Sequence, residues 1–259
     1  MGFVPLIEVT RGNLAECQHW GAVAVADRNG RVLAQAGDPY TVTFTRSTIK
    51  AFQALPFMQS GGAQALGWGA DELALLCASH NGEAMHVEQV ERMLGSVGQN
   101  YRALRCGCHR PLFAELGLGS LPDGFVPDER HNNCSGKHAG FVAHCVQQGW
   151  PLDNHLDPAH PLQQAIREHV AQAVGLESEQ LAMGIDGCSA PNYAMPLAHL
   201  ARGYARLAGG APDTDLDQSL TALADAMVQR PELGSGTGRH DLDFICLLYT
   251  SDAADDSLR

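Results

Sequence analysis

A serine and a lysine stand three residues apart in Arg46-Ser47-Thr48-Ile49-Lys50. On a helix that spacing sets hydroxyl and amine on one face, within reach of each other. A serine hydroxyl is a weak nucleophile because its proton must leave as the oxygen attacks. A lysine kept from water can take that proton, since burial disfavours the ammonium and lowers its pKa. Ser47 and Lys50 are therefore a candidate acyl-transfer pair. The same spacing also occurs on solvated helices that do no chemistry.

Four further clusters carry reactive side chains. In Ala78-Ser79-His80-Asn81-Gly82-Glu83 a helix ends in a glycine turn; these residues are either caps and turn formers or supply a second active hydroxyl, Ser79. Arg105-Cys106-Gly107-Cys108-His109 has metal-binding residue types but lacks the two-residue cysteine spacing of common zinc sites. His131-Asn132-Asn133-Cys134-Ser135-Gly136-Lys137-His138 precedes an apolar helix, where the helix dipole favours a thiolate at Cys134. Ile185-Asp186-Gly187-Cys188-Ser189-Ala190-Pro191 is a strand end entering a sharp turn. Cys134 and Cys188 are either small buried apolar groups or metal ligands. Their place in polar loop-entry segments favours ligands. Cys17, Cys77 and Cys145 have apolar neighbours and read as core.

The elements that must position these groups follow from periodicity. Val4 to Val9, Trp20 to Ala26 and Arg31 to Gln35 read as strands of a small antiparallel sheet, the last two joined by an Asn29-Gly30 turn. Helical patterns cover residues 47–59, 71–78, 85–94, 137–148, 161–174, 193–207 and 216–229, the last with Asp215 as cap and Pro231 as stop. Residues 100–133 are irregular, and residues 181–186 read as a short strand. Sheet first, then many helices with isolated strands, predicts an α+β fold rather than alternating βαβ units.

Composition narrows the function. The 259 residues are 45% hydrophobic and 18% charged, enough apolar material for a substantial core. A formal net charge of −12 argues against nucleic acid or an anionic membrane as partner. No run reaches the roughly 18 apolar residues a bilayer span requires. Nothing near Met1 resembles a signal peptide, so a cytoplasmic location is expected, with the eight cysteines as thiols or metal ligands.

In the order RSTIK, ASHNGE, HNNCSGKHAG, GIDGCSAP and GTGRHD, the chain resembles the bacterial asparaginase II family of the Rhizobium etli type, from about residue 4 to about residue 243. That resemblance implies a fold like the serine β-lactamase and glutaminase enzymes, an antiparallel sheet beside a helical domain. It implies hydrolysis of L-asparagine to L-aspartate and ammonia. Carried over by motif, it makes Ser47 and Lys50 one Ser–Lys pair, Ser79 the serine of a second, and Cys134, Lys137 and Cys188 the ligands of a Zn²⁺ ion. Two thiolates suit zinc, and an amine can join them once it has lost its proton. By charge complementarity Asp186 is a candidate for the substrate's α-ammonium and Arg46 for its α-carboxylate. His131 and Asn133 are candidates to line the same pocket. A homodimer is compatible with such a family.

Two features depart from the pattern. Residues 246–259, CLLYTSDAADDSLR, resemble a translated sequencing adaptor, so residues 1–245 are expected to be one incomplete catalytic domain followed by a non-native tail. The family's second lysine follows the GTGRHD motif and has no counterpart here, which leaves Ser79 without an evident base. Missing C-terminal strands would leave apolar faces exposed and the chain poorly soluble and weakly active. The rival readings are another serine acyl-enzyme, a glutaminase or β-lactamase, and a non-catalytic domain stabilised by zinc.

Overall fold

The computed structural model describes residues 2–209 and 213–249, without the side chains of 247–249. The N-terminal pattern folds as strands, in two ribbons rather than one sheet. β1 (Val4–Arg11) pairs antiparallel with β2 (Leu14–Gly21), and β3 (Val23–Ala26) with β4 (Val32–Ala36). The single strand expected over 20–26 is split: Trp20 pairs with Pro5, whereas Val23 pairs with Ala36. The Asn29-Gly30 turn forms as expected. The Asp27 carboxylate holds it, accepting the Asn29 and Arg31 amides at 3.0 and 2.9 Å. Ile7, Trp20, Val25 and Leu33 on these ribbons are exposed.

A three-stranded antiparallel sheet lies next to the chemistry. Its order is β5 (Val42–Phe44), β7 (Pro191–Pro196), β6 (Ala182–Ile185), with β7 in the middle. The helix expected from residue 193 therefore starts late, at Leu197. Asn192 to Met195 are buried, with Asn192 to Ala194 paired to β6 and Ala194 and Met195 to β5. A short apolar run of this kind has no periodicity to separate strand from helix. Prolines sit only at the ends of β7, where a missing amide does least harm.

Helices form the rest: α1 (Lys50–Gln53), α2 (Leu55–Gln59), α3 (Gly62–Leu66), α4 (Ala70–Leu76), α5 (Ala84–Gly95), α6 (Leu112–Glu115), α7 (Ser135–Gln148), α8 (Pro161–Val174), α9 (Leu197–Leu207), α10 (Asp215–Gln229), α11 (Pro231–Gly234) and α12 (His240–Tyr249). With the small antiparallel sheets, this is an α+β architecture. The helix expected over 47–59 is a 3₁₀ turn (Arg46–Ile49) followed by α1 and α2, because Pro56 cannot continue a single long helix. The cap of α10 is Thr214, one residue earlier than expected; its Oγ1 accepts the Asp217 amide at 3.2 Å. α12 runs through the expected tail boundary at 245, and residues 250–259 of that tail lie outside the described residues. Among the described residues no helix is long and apolar enough to cross a membrane.

The centre of the molecule is α7. Ser135 to Cys145 are all buried, and a helix covered on every side must be packed by neighbours all round. α2, α3, α4, α5 and α8 pack against it. Within this core His144 stands edge-on to Phe57 and Trp150, with ring centroids at 6.0 and 5.2 Å. Burial, with a smaller contribution from His169, pushes its pKa down from 6.5 to about 4.

His144 is therefore neutral in the folded chain at a pH where the unfolded chain takes up a proton. Its contribution to stability is complete above pH 6.5 and is lost as pH falls toward 4, by about 3 kcal/mol at most. His144→Phe keeps the aromatic packing without the proton site. Thermal melts between pH 6.5 and 4.5 are expected to fall less steeply for this variant than for wild type.

Candidate active site and thiol cluster

Lys50 is 2% exposed, although it opens α1 only three residues after Ser47. Its side chain runs inward rather than along the helix face. The ammonium nitrogen contacts the Ala78 carbonyl, the Asn133 carbonyl at 3.5 Å and Ser79 Oγ at 2.8 Å. Burial, reinforced by the charge of Lys137, lowers its pKa, while Cys134 and Cys188 pull the other way. The two carbonyls can only accept from Nζ. Ser79 Oγ accepts from Nζ while the lysine is charged and can donate to its lone pair once it is neutral.

The lysine that stands beside Ser79 in the structure is therefore Lys50. Ser47 Oγ makes no hydrogen bond among the described residues; only its backbone carbonyl receives the Lys50 amide. Both hydroxyls nevertheless face one cleft of about 630 Å³ including its open mouth, with Thr48, Cys77, Ser235 and Asp241 among its walls. The GTGRHD segment closes on this cleft. Ser79 N donates to Gly234 O at 3.0 Å and Asn81 N to Ser235 O at 2.8 Å. The Thr237 amide donates to the Glu83 carboxylate at 3.0 Å. Gly236 has φ +117°, and a Cβ there would stand 2.4 Å from Glu83 Oε2, so the segment can close only with glycine at that position.

Cys134, Lys137 and Cys188 converge as expected and all are buried. Cys134 caps α7, Lys137 lies in its first turn, and Cys188 arrives from the β6–β7 loop. Lys137 Nζ lies 3.2 Å from Cys188 Sγ. Contact with the Cys188 thiol, and burial, raise the Cys134 pKa. The same contact, helped by His138 and Lys137, holds the Cys188 thiol well below the usual range. The helix dipole alone favoured a thiolate at Cys134; the contact with Cys134 and the neighbouring lysine favour it at Cys188 instead. For Lys137, burial acts to lower the pKa, but the paired sulfurs outweigh it and the net direction is upward.

Among the described residues no three of His, Cys, Asp and Glu are grouped to hold a metal ion. The expected donor set contains only two such residues, with an amine as the third. Two soft sulfurs and a nitrogen on one buried spot suit zinc's donor preferences.

The candidate substrate ligands Arg46 and Asp186 are brought together, and they bind each other: Arg46 Nε lies 2.9 Å from Asp186 Oδ1. None of Arg46, Asp186, His131 and Asn133 lines the cleft of the two serines; Arg46 and Asp186 wall a separate recess, which His131 and Asn133 do not line either. His131 Nδ1 accepts the Asp128 amide at 3.1 Å and its ring packs edge-on to Phe125. Asn133 acts through its backbone, with the carbonyl at Lys50; its Oδ1 lies 3.2 Å from His109 Nε2.

Sequence reading missed three positioning residues. Asn132 Oδ1 accepts the Cys134 amide at 2.9 Å, a local turn that the Asn-x-Cys spacing could have signalled. His109 Nε2 accepts the Asn133 amide at 3.0 Å. It belongs to the Cys-x-Cys-His cluster, whose thiols go elsewhere: Cys106 donates to the Glu129 carbonyl and Cys108 is exposed. Asn192, on β7, is bonded to Arg46 and had no local signal.

The sequence matches the L-asparaginase II family over residues 7–250. No individual curated protein matches it.

Gly136 lies between Cys134 and Lys137, where α7 meets α4. A Cβ at Gly136 would stand 2.3 Å from the Leu75 carbonyl oxygen, whereas at Gly140 it would meet only the Leu76 Cδ2 methyl. Backbone cannot yield as a methyl can. Gly136→Ala is expected to lose about 1–3 kcal/mol through overpacking. Gly140→Ala should be near neutral, because alanine's helix propensity returns about 0.5–1 kcal/mol. Chemical denaturation of the two variants checks the order.

Proposed function

The chain belongs to the L-asparaginase II family, and we propose that it hydrolyses L-asparagine to L-aspartate and ammonia through a serine acyl-enzyme. The observation that carries the chemistry is the 2.8 Å contact between Ser79 Oγ and the buried Lys50 amine. Nucleophile and base stand within direct proton-transfer distance, where no water need intervene.

In this reading the Ser79 hydroxyl passes its proton to Lys50 Nζ as Oγ bonds to the side-chain amide carbon of asparagine. The C–N bond then breaks, and Lys50 returns the proton to the departing ammonia. Water attacks the β-aspartyl ester by the same route, releasing aspartate and restoring the serine. The amides of Ser79 and His80 are already given to Gly234 O and Asn133 O, so oxyanion stabilisation must come from other donors. Arg46 and Asp186 would exchange their mutual pairing for the α-carboxylate and α-ammonium of the substrate.

Cys134, Lys137 and Cys188 would hold the zinc ion, which when bound supplies a Lewis-acidic positive charge. Lys137 gives up its proton to bind it. The mixed helix and sheet architecture is compatible with a serine β-lactamase or glutaminase-like fold, which is part of the same proposal. A second reading makes Ser47 the nucleophile, and its position in the wall of the same cleft supports that alternative.

Ammonia release from asparagine is expected to exceed that from glutamine, with no hydrolysis of nitrocefin. Ser79→Ala and Lys50→Met should each lower the rate about a thousandfold or more, with Ser47→Ala much milder. Mass spectrometry after an asparagine-derived electrophile should place the adduct on Ser79; an adduct on Ser47 reverses the assignment. Elemental analysis should give one zinc per chain, lost in Cys188→Ser.

A further inference from the structure

Arg46 has φ +50°, a left-handed backbone for a residue with a side chain. Glycine would adopt that conformation at no steric cost, so arginine there carries a strain that its surroundings must hold. One side chain does so. Asn192 Oδ1 accepts the Arg46 amide at 3.0 Å, and Asn192 Nδ2 donates to the Arg46 carbonyl at 2.9 Å. Both backbone polar groups of the strained residue thus end on one carboxamide, itself 3% exposed in the central strand β7. Thr45 ties the preceding residue to the same strand, its amide and Oγ1 both reaching Tyr193 O at 3.0 and 2.9 Å.

Two consequences follow from this hold. The Arg46 side chain is 72% exposed yet aimed at the nearly buried carboxylate of Asp186. The pair walls a recess of about 420 Å³ with Phe44, Gly184, Gly187 and Asn192. The 3₁₀ turn leading to Ser47 and Lys50 also starts at Arg46, so its direction is set at the same point. Relaxation of φ to negative values would turn the guanidinium away from Asp186 and re-aim that turn.

We propose that Asn192 is a positioning residue that clamps Arg46 in the left-handed conformation and so keeps the Arg46–Asp186 pair set to receive an α-amino acid. The amino-acid half of this inference rests on the roles proposed above for Arg46 and Asp186; the clamp itself does not.

The test uses L-aspartate, the product, which binds without being turned over. Calorimetric titration and chemical denaturation would be run on wild type, Asn192→Ala, Arg46→Gly and the double variant. Asn192→Ala is expected to weaken aspartate binding about tenfold, the loss of roughly one well-placed interaction. In the Arg46→Gly background, where glycine needs no clamp, Asn192→Ala should cost clearly less stability than it does alone. Additive stability losses would overturn the clamp. Unchanged aspartate affinity in Asn192→Ala, with affinity lost in Arg46→Gly, would overturn its link to the ligand. If wild type binds no aspartate, the substrate roles of Arg46 and Asp186 fail, while the denaturation cycle still decides the clamp. Asn192→Asp keeps the acceptor and loses the donor; it should fall between wild type and alanine, and replaces alanine if that variant does not fold.

Discussion

A lysine amine buried to 2% exposure is the constraint on which the site depends. Taking an ammonium out of water costs several kcal/mol unless its hydrogen bonds are replaced. The chain replaces them with groups from two distant segments, the 78–79 helix end and the Asn133 carbonyl just before α7. Neither segment is free to move without stranding the amine. Its burial thus locks together the N-terminus of α1, the C-terminus of α4 and the N-terminus of α7. The same burial that constrains the fold lowers the amine's pKa.

The thiol cluster lies directly behind this amine. Asn133 supplies a carbonyl to Lys50 while the next residue, Cys134, faces Cys188, and the two lysines oppose each other's charge. Lys137 Nζ stands 3.2 Å from the sulfur of Cys188, the more acidic of the two thiols. A change at either centre is therefore felt by the other, through a shared stretch of backbone and through direct electrostatics in a site with little water to screen it. This packing requires α7 to approach α4 closely, and glycine at 136 makes that approach possible. A domain merely stabilised by metal would need the thiol cluster but has no use for a hydroxyl on the neighbouring amine. The Ser79–Lys50 contact thus favours an enzyme over that rival.

Much of the site was legible before any coordinates. Every reactive cluster lay at a helix start, a helix end or a strand end, and turn chemistry and periodicity mark such places well. Convergence of Cys134 with Cys188 was implied by the family resemblance, and the structure brings the two side chains together. The long helices α5, α7 and α8 stand close to where periodicity put them. Errors fell where local pattern is silent. β7 was read as the start of a helix because a fully buried strand has no alternating face. Its misreading hid Asn192, which acts only on a residue 146 positions away.

The sequence by itself determined which groups were available: two serines, two lysines and a pair of cysteines in segments that local physics places at loop entries. It also determined the α+β class, since hydrophobic period and turn residues are local properties. Only the tertiary structure decided who partners whom. Three residues of separation put Lys50 within reach of Ser47, but reach is not contact. The long side chain went where a dry site offered it two carbonyls and a hydroxyl, at Ser79. Likewise Cys188 rather than the helix cap became the more acidic thiol, because a neighbouring thiol and a close ammonium act there more strongly than a diffuse dipole.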